Sequence, residues 1–118
     1  MENIKLVILF GSRAAGKSGV RSDTDLAVLA DHLLSLREMS DISRDMARKL
    51  KVAEDNIDII DLQTASPLLQ HEVASKGKLL AGREADFIRF RVLAWKRYLD
   101  TAKFRRARGK ALEKSLHA

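Results

Sequence analysis

Residues 4–30 decide the fold, and they read IKLVILFGSRAAGKSGVRSDTDLAVLA. The stretch holds two apolar runs, residues 4–10 and residues 24–30, on either side of a loop rich in glycine and small residues. Short apolar runs with β-branched residues, bounded by such a loop, are typical of buried strands. We therefore predict a strand, a loop from Gly11 to Ser22, and a second strand.

A helix and a third strand follow this stretch. Apolar residues recur at steps of three and four between residues 35 and 50, which predicts an amphipathic helix that buries one stripe. The stripe consists of Leu36, Met39, Ile42, Met46 and Leu50. Residues 56–62, NIDIIDL, are again apolar and β-branched, and they predict the third strand.

The second half of the chain is predicted to hold two helices and one short strand. Ser66 suits an N-cap and Pro67 suits the first helical position, so a helix is expected from there to about residue 76. Gly77 is its expected C-cap. Residues 78–81 predict a fourth strand and residues 84–110 a long last helix. Strands that alternate with helices indicate one α/β or α+β domain around a small sheet, with a core over residues 1–82 and a C-terminal helix over residues 83–118.

Charge is distributed unevenly along the 118 residues, whose net charge is +6. Residues 1–86 contain 12 Lys and Arg against 14 Asp and Glu, whereas residues 87–118 contain 10 against 2. A basic C-terminal helix suits an acidic protein or a nucleic acid as partner, or it is a solvated face. The chain has no cysteine, no signal peptide pattern and no apolar run near the roughly 20 residues that cross a membrane. We expect a cytoplasmic protein that does not contact a membrane.

Three carboxylates stand in positions where strands could bring them together. Asp23 and Asp25 are two residues apart at the start of the second strand, so their side chains point the same way. Asp58 interrupts the third strand, where an aspartate is costly to bury unless it is paired or bound to a metal. If these strands are neighbours, the carboxylates converge. Oxygen ligands favour Mg²⁺ or Mn²⁺, and two such ions support phosphoryl or nucleotidyl transfer. The alternation of side chains along the third strand turns Asp61 away from Asp58, so Asp61 is predicted to have a structural role.

The loop after the first strand supplies groups that suit a phosphate. Glycine lets the backbone approach a ligand, successive N–H groups can form an anion nest, and Ser12 adds a hydroxyl. Arg13, Lys17 and Arg21 are either phosphate contacts or solvated charges. The complete pattern is Gly11-Ser12, ten further residues, and then Asp23-x-Asp25.

This pattern resembles the signature of the DNA polymerase β-like nucleotidyltransferase superfamily, and in particular its minimal nucleotidyltransferase (MNT) branch. The strand around Asp58 is similar to the third-aspartate strand of that branch, and the resemblance covers residues 4–82. It implies a small mixed sheet flanked by helices. It also implies that Asp23 and Asp25 ligate two Mg²⁺ ions, that Asp58 completes the site and helps to deprotonate the acceptor, and that the Gly11-Ser12-Arg13 segment holds the triphosphate of ATP.

The resemblance further implies a biological role. Small members of the branch are antitoxins that transfer AMP from ATP to a tyrosine hydroxyl of a HEPN toxin, a helical RNase, and release pyrophosphate. A HEPN protein is therefore the expected partner, and the sequence leaves open whether the chain also forms a homo-oligomer. Family members usually carry a helix before the first strand, whereas three residues precede it here. We expect either that the start is truncated or that the chain is a shorter variant of the family. Without that helix, the sequence leaves open which element covers one face of the sheet.

Three alternatives remain from the sequence. The chain could mask its partner without catalysis, or it could act on a small molecule as aminoglycoside nucleotidyltransferases do, although those usually need a second helical domain. Residues 11–18, GSRAAGKS, also satisfy the pattern of a P-loop. That interpretation is disfavoured because 118 residues leave little room for the large parallel sheet, and because Asp23 and Asp25 fall where the long helix of a P-loop protein would continue.

The last helix carries more apolar surface than one packing face needs. Its large residues, among them Phe87, Phe90, Trp95 and Tyr98, occupy more than one face at helical spacing. That favours helix-on-helix packing against a protein, with Trp95 or Tyr98 as an anchor. Direct nucleic-acid binding is disfavoured, because RNA-binding modules present aromatic residues on an open platform. A helix enclosed within the domain is the other interpretation.

Overall fold

The computed structural model describes residues 3–11 and 23–108 of the chain. These residues form four strands and three helices in the predicted order, with an additional short 3-10 helix, Glu54–Asn56, before the third strand. The elements are β1 (Ile4–Phe10), β2 (Thr24–Ala30), α1 (Leu36–Leu50), β3 (Ile57–Asp61), α2 (Pro67–Lys76), β4 (Lys78–Gly82) and α3 (Glu84–Asp100). Among the described residues, no helix is long and apolar enough to cross a membrane.

The four strands form one mixed sheet in the order β3-β2-β1-β4, which confirms the expected small mixed sheet. β1 pairs antiparallel with both β2 and β4, and β2 pairs parallel with β3. The end of β1 therefore lies beside the start of β2, where Phe10 pairs with Asp25. The start of β3 lies on the other side of β2. Three chain segments thus meet at one edge of the sheet.

Helices cover both faces of the sheet. The alternation of side chains along β1 shows this most clearly, because Val7 and Leu9 pack on the α1 side while Leu6 and Ile8 pack on the side of α2 and α3. On the α1 side the core also contains Leu26, Val28, Ile42 and Met46, and on the opposite side it contains Leu62, Val73, Phe90 and Ala94. The described part of the chain therefore encloses its own sheet.

The ends of α1 and α2 follow from local sequence. Ser35 caps α1 in a capping box with Glu38, because each side chain accepts a hydrogen bond from the other residue's backbone N–H. Leu36 does not join the buried stripe as predicted. It occupies the first helical position and is 85% exposed, because α1 packs through later turns, where its buried residues Ile42, Met46 and Ala47 lie.

Gly77 ends α2 as predicted, although not through a left-handed backbone. Its φ is −76°, which any residue adopts. A Cβ at this position would overlap the Ile8 side chain and the Val73 carbonyl oxygen. The glycine is therefore required by the close approach of α2 to β1.

The last helix is shorter than the predicted span of residues 84–110. α3 ends at Asp100, Thr101 forms a turn, and residues 102–108 are helical again. The Thr101 hydroxyl donates to the Arg97 carbonyl at 3.1 Å, and such a bond competes with the helix ladder and bends it. Residues 109 and 110 lie outside the described residues.

Candidate active site

Two of the three predicted carboxylates lie directly opposite each other on neighbouring strands. Asp25 in β2 pairs in register with Asp58 in β3, and because the strands are parallel both side chains project from the same face. Asp25 is half-buried, and Asp58 is exposed because β3 is an edge strand. Asp23 stands just before β2 and is exposed. The condition for convergence, that these strands are neighbours, is therefore met.

The charges of these carboxylates act on one another. Burial raises the pKa of the Asp25 carboxyl above its ordinary value of 3.8, and the negative charges of Asp58 and Asp23 raise that pKa further. Within residues 3–11 and 23–108, no group of three or more His, Cys, Asp or Glu side chains is arranged to hold a metal ion by itself. The three aspartates thus form an electrostatically coupled group without forming a closed protein cage.

Gly11 lies against this group for two separate reasons. Its φ of +84° is a left-handed conformation that side chains other than glycine rarely adopt. In addition, a Cβ at this position would overlap the Oδ2 atom of Asp25. The backbone at the end of β1 therefore passes directly over the Asp25 carboxylate, and only glycine fits there. The other predicted nucleotide-binding residues, Ser12 and Arg13, lie outside the described residues.

Asp61 has the structural role that the pleat predicts. Its side chain is buried on the face of β3 opposite Asp58, where it accepts hydrogen bonds from the backbone N–H groups of Leu34 and Gln63, each at 2.9 Å. These bonds hold the end of β3 to the segment that leads into α1. Asp61 is therefore separate from the candidate site, although it lies only three residues after Asp58.

Thr24 was not singled out from the sequence. It lies between Asp23 and Asp25, and the alternation of β2 sends its side chain to the opposite face, where it is fully buried. Its hydroxyl has no hydrogen-bond partner among the described residues. A polar residue flanked by two candidate ligands on a strand is the signal that could have drawn attention to it.

His32 takes part in an ion-paired cluster near the start of α1. Its Nδ1 atom is 2.6 Å from Asp31 and its Nε2 atom is 2.7 Å from Glu38, the capping-box residue. Hydrogen bonds from the imidazole to these two carboxylates raise the pKa of His32 above 6.5. The cluster follows the C-terminal end of β2, whereas the aspartate group lies at its start.

The sequence model of the family described as Polymerase beta, Nucleotidyltransferase matches residues 1–86. Among curated proteins, the chain is 39% identical over 85 residues to Protein adenylyltransferase MntA of Shewanella oneidensis, a match that covers 70% of this chain and 58% of that protein. It is 37% identical over 100 residues to a protein of the same name from Aphanizomenon flos-aquae, covering 76% of this chain and 67% of the relative. The chain thus spans less than two thirds of the length of the Shewanella relative.

Solved structures of toxin–antitoxin complexes have the same fold. One is a crystal structure of a toxin–antitoxin with AMP-PNP, in which the similar chain has a TM-score of 0.72 and 28% identity, with 100% of this chain and 90% of that chain covered. Another is the tri-AMPylated Shewanella oneidensis HEPN toxin in complex with MNT antitoxin, with a TM-score of 0.64, 26% identity, and coverage of 100% and 87%. The likeness extends through α3, beyond the residues that the family's sequence model matches.

Proposed function

Because this chain belongs to the polymerase β nucleotidyltransferase family, in its minimal nucleotidyltransferase branch, we propose that it is a Mg²⁺-dependent protein adenylyltransferase that acts as an antitoxin in the cytoplasm. It transfers AMP from ATP to a tyrosine hydroxyl of a HEPN toxin. The observation that carries the proposal is the register pair of Asp25 and Asp58 with Gly11 lying over Asp25. The names and bound molecules of the similar proteins support the same reaction.

The donor set of the site suits hard divalent cations. We propose that Asp23, Asp25 and Asp58 together hold two Mg²⁺ ions, or Mn²⁺. Burial and the neighbouring charges of Asp58 and Asp23 raise the pKa of Asp25, and a bound cation would relieve that repulsion. Mg²⁺ commonly keeps water and takes substrate phosphate oxygens, so few protein ligands are needed. When bound, the ions would supply charge stabilisation for the attacking and leaving oxygens of an in-line displacement.

The segment Gly11-Ser12-Arg13 is the proposed triphosphate site. Gly11 carries no side chain at the point where the backbone passes the Asp25 carboxylate, so the N–H groups that follow can approach phosphate oxygens closely. The Ser12 hydroxyl donates a hydrogen bond to the triphosphate, and Arg13 contributes a positive charge. In this proposal these groups would bind the triphosphate beside the aspartates, with pyrophosphate as the leaving group.

Asp58 is the residue that we propose as the base for the acceptor. It is the more exposed partner of the Asp25–Asp58 pair and lies on an edge strand, where a protein substrate can reach it. In the proposed step, the tyrosine oxygen attacks the α-phosphorus while its proton passes to the Asp58 carboxylate. The bond between the α-phosphorus and its bridging oxygen breaks, and pyrophosphate leaves. The products are O-adenylyl-tyrosine and pyrophosphate.

The deciding experiment compares the wild type with the double variant Asp23→Asn/Asp25→Asn. Each protein is incubated with a HEPN toxin from the same genome and with ATP labelled on the α-phosphate. We expect label on the toxin with the wild type and none with the double variant, while Asp55→Asn, a control that removes an exposed carboxylate, keeps full transfer. Undiminished labelling by the double variant would contradict the assignment. If the double variant still neutralised the toxin without labelling it, the masking alternative would be correct.

A second experiment tests the triphosphate site alone. Gly11→Ala should weaken ATP binding strongly in calorimetry with Mg²⁺, because the new Cβ displaces the Asp25 carboxylate and the backbone leaves its left-handed conformation. Circular dichroism of the same preparation serves as the control for folding. A folded variant with wild-type ATP affinity would place the triphosphate elsewhere.

A further inference from the structure

A cavity of about 370 Å³ opens between the sheet, α2 and α3. Its lining includes Leu62 and Phe90, which are buried in the core on the α2 and α3 side, so its floor is apolar. Lys5 lines the cavity from the start of β1, whereas Phe10, near the other end of that strand, pairs with Asp25. The cavity is therefore separate from the candidate active site, and it has the size of an ordinary small-molecule pocket.

The wall of the cavity is positively charged. It carries three cationic side chains, which are Lys5, Arg89 and Arg97. Asp86 is the one carboxylate among the described lining residues, so the wall has a net charge of +2, and the other carboxylates of α3, Glu84 and Asp100, do not line it. In the part of the chain that the structure describes, none of the lining cations takes part in an ion pair. Their charges are therefore available to a ligand.

A buried glutamine holds Arg97 in place. Gln70 in α2 is 5% exposed, and its Oε1 atom accepts a hydrogen bond from Nη1 of Arg97 at 3.1 Å. Its Nε2 atom donates to the carbonyl oxygen of Leu62 at 2.7 Å, so both ends of the buried amide are used. A guanidinium group has five N–H donors, and the bond to Gln70 leaves others free for a ligand. Because Arg97 is already oriented, it loses less side-chain entropy on binding.

An irregularity in β1 occurs at Lys5. The pairing of β1 with β2 shifts register between Ile4 and Leu6, and Lys5 is the extra residue there. Ile4 packs on the α1 side of the sheet and Leu6 on the opposite side, although residues two apart in a regular strand share a face. Irregularities of this kind re-aim a side chain, and the side chain re-aimed here is one that lines the cavity.

We propose that this cavity binds a small phosphate monoester with an apolar or aromatic body. A phosphate monoester carries a charge of about −1.5 to −2 at pH 7, which matches the wall better than the single charge of a carboxylate does. The guanidinium fork of arginine fits phosphate oxygens in bidentate geometry, and the floor at Leu62 and Phe90 receives the body of the ligand. The inference goes beyond the proposed nucleotidyl transfer, because it assigns a second ligand site in which none of the three aspartates takes part.

The experiment titrates the full chain, labelled with ¹⁵N, with phenyl phosphate in the absence of ATP and Mg²⁺. We expect the backbone amide signals of Gln63 and Gln70 in NMR spectra to shift and to saturate, while those of Gly11 and Asp25 stay unchanged. Inorganic phosphate lacks the body, and phenylacetate carries a carboxylate instead of the phosphate. Each should bind more weakly than phenyl phosphate by roughly tenfold or more.

Variants connect the binding to the cavity. Arg97→Gln and Arg89→Gln should each weaken phenyl phosphate roughly tenfold, because each removes a charged hydrogen-bond donor. Arg91→Gln removes an exposed arginine of the same helix that does not line this cavity, and it should change nothing. Circular dichroism checks the fold of each variant. If Arg97→Gln lost its helical signal, Arg89→Gln and Lys5→Gln, which change exposed side chains, would decide.

Four results would overturn the inference. They are the absence of a saturable shift, shifts confined to Gly11 and Asp25, binding of inorganic phosphate or phenylacetate as tight as that of phenyl phosphate, and undiminished binding by the folded cavity variants. Asp23→Asn/Asp25→Asn should bind phenyl phosphate as the wild type does, so a failure of the proposed transfer leaves this test intact.

Discussion

Replacing Asp25 with asparagine should make the ligand-free protein more stable at neutral pH. In the wild type the Asp25 carboxylate is half-buried, lies in register with Asp58 and is close to Asp23. Burial and these two like charges all disfavour its ionised form. Asparagine has nearly the same shape and carries no charge, so it removes the repulsion and leaves the packing of β2 in place.

The size of the effect follows from the pairing of β2 with β3. Neighbouring strands lie about 4.8 Å apart. Two unit charges about 5 Å apart repel by about 0.8 kcal/mol in water and by about 3 kcal/mol at an effective dielectric constant of 20. Because Asp58 is exposed, we take the value near the lower end. Asp25→Asn should therefore raise the free energy of unfolding by about 1 kcal/mol, or the melting temperature by about 4 °C.

The pH dependence of this gain identifies its cause. The pKa of Asp25 is raised in the folded state, so between 3.8 and the raised value the folded protein binds more protons than the unfolded chain. The stability that Asp25 contributes is thus lost as the pH rises through this interval. Asp25→Asn lacks that loss, so its advantage should be near zero at acid pH and complete at neutral pH. Urea unfolding of both proteins across this range measures the difference.

A matched control separates local crowding from a general effect of charge. Asp55→Asn removes an exposed carboxylate from the short 3-10 helix and should show no gain that grows with pH. The reasoning would be refuted if Asp25→Asn were no more stable than the wild type at neutral pH, or if its advantage did not decline in acid. Adding Mg²⁺ should narrow the gap, because binding to the wild type alone stabilises that protein.

Three further predictions follow from other parts of the fold. Asp61→Ala should lower the free energy of unfolding by about 2–4 kcal/mol, because the buried N–H group of Leu34 and the part-buried N–H group of Gln63 lose their acceptor, and an unchanged melting temperature would show that these bonds are not needed. Hydrogen bonds to Asp31 and Glu38 raise the pKa of His32, so the stability that this cluster gives is present below pH 6.5 and is lost as the pH rises through the raised pKa. His32→Gln should remove this pH dependence of the free energy of unfolding, and an identical pH profile of the variant would argue against the cluster. Gly77→Ala should destabilise the protein by about 1–3 kcal/mol in thermal melting, because its Cβ would overlap Ile8, and a neutral result would mean that α2 shifts freely on β1.

Local features of the sequence were enough to predict most of the elements and to single out the candidate carboxylates. The bounds of β1 and β2 follow from apolar runs on either side of a glycine-rich loop, and the start of α2 follows from Ser66 and Pro67. The spacing of Asp23 and Asp25 predicts that both side chains project to the same side, because side chains alternate at every residue of an extended chain. Each of these inferences depends on residues close together in the sequence, within runs of at most 7 residues, where sequence patterns are most informative.

The relations between distant segments were decided only by the tertiary structure. Asp25 meets Asp58 because β2 pairs in parallel with β3 across an intervening helix, and no local pattern specifies that register. Gly11 lies over Asp25 because β1 and β2 run antiparallel. Leu36 fits the apolar period of α1 and is nevertheless exposed, since α1 packs through its later turns, where Ile42, Met46 and Ala47 are buried.

The last helix shows the same division between sequence and tertiary structure. Its composition indicated more apolar surface than one packing face requires. Only the docking of α3 through Phe90 and Ala94 determined that Trp95 lies on the outer face, where solvent or a partner reaches it. The physical reason is that periodicity fixes which residues share a face of a helix, whereas the choice between two apolar faces depends on the complete core that the rest of the chain presents.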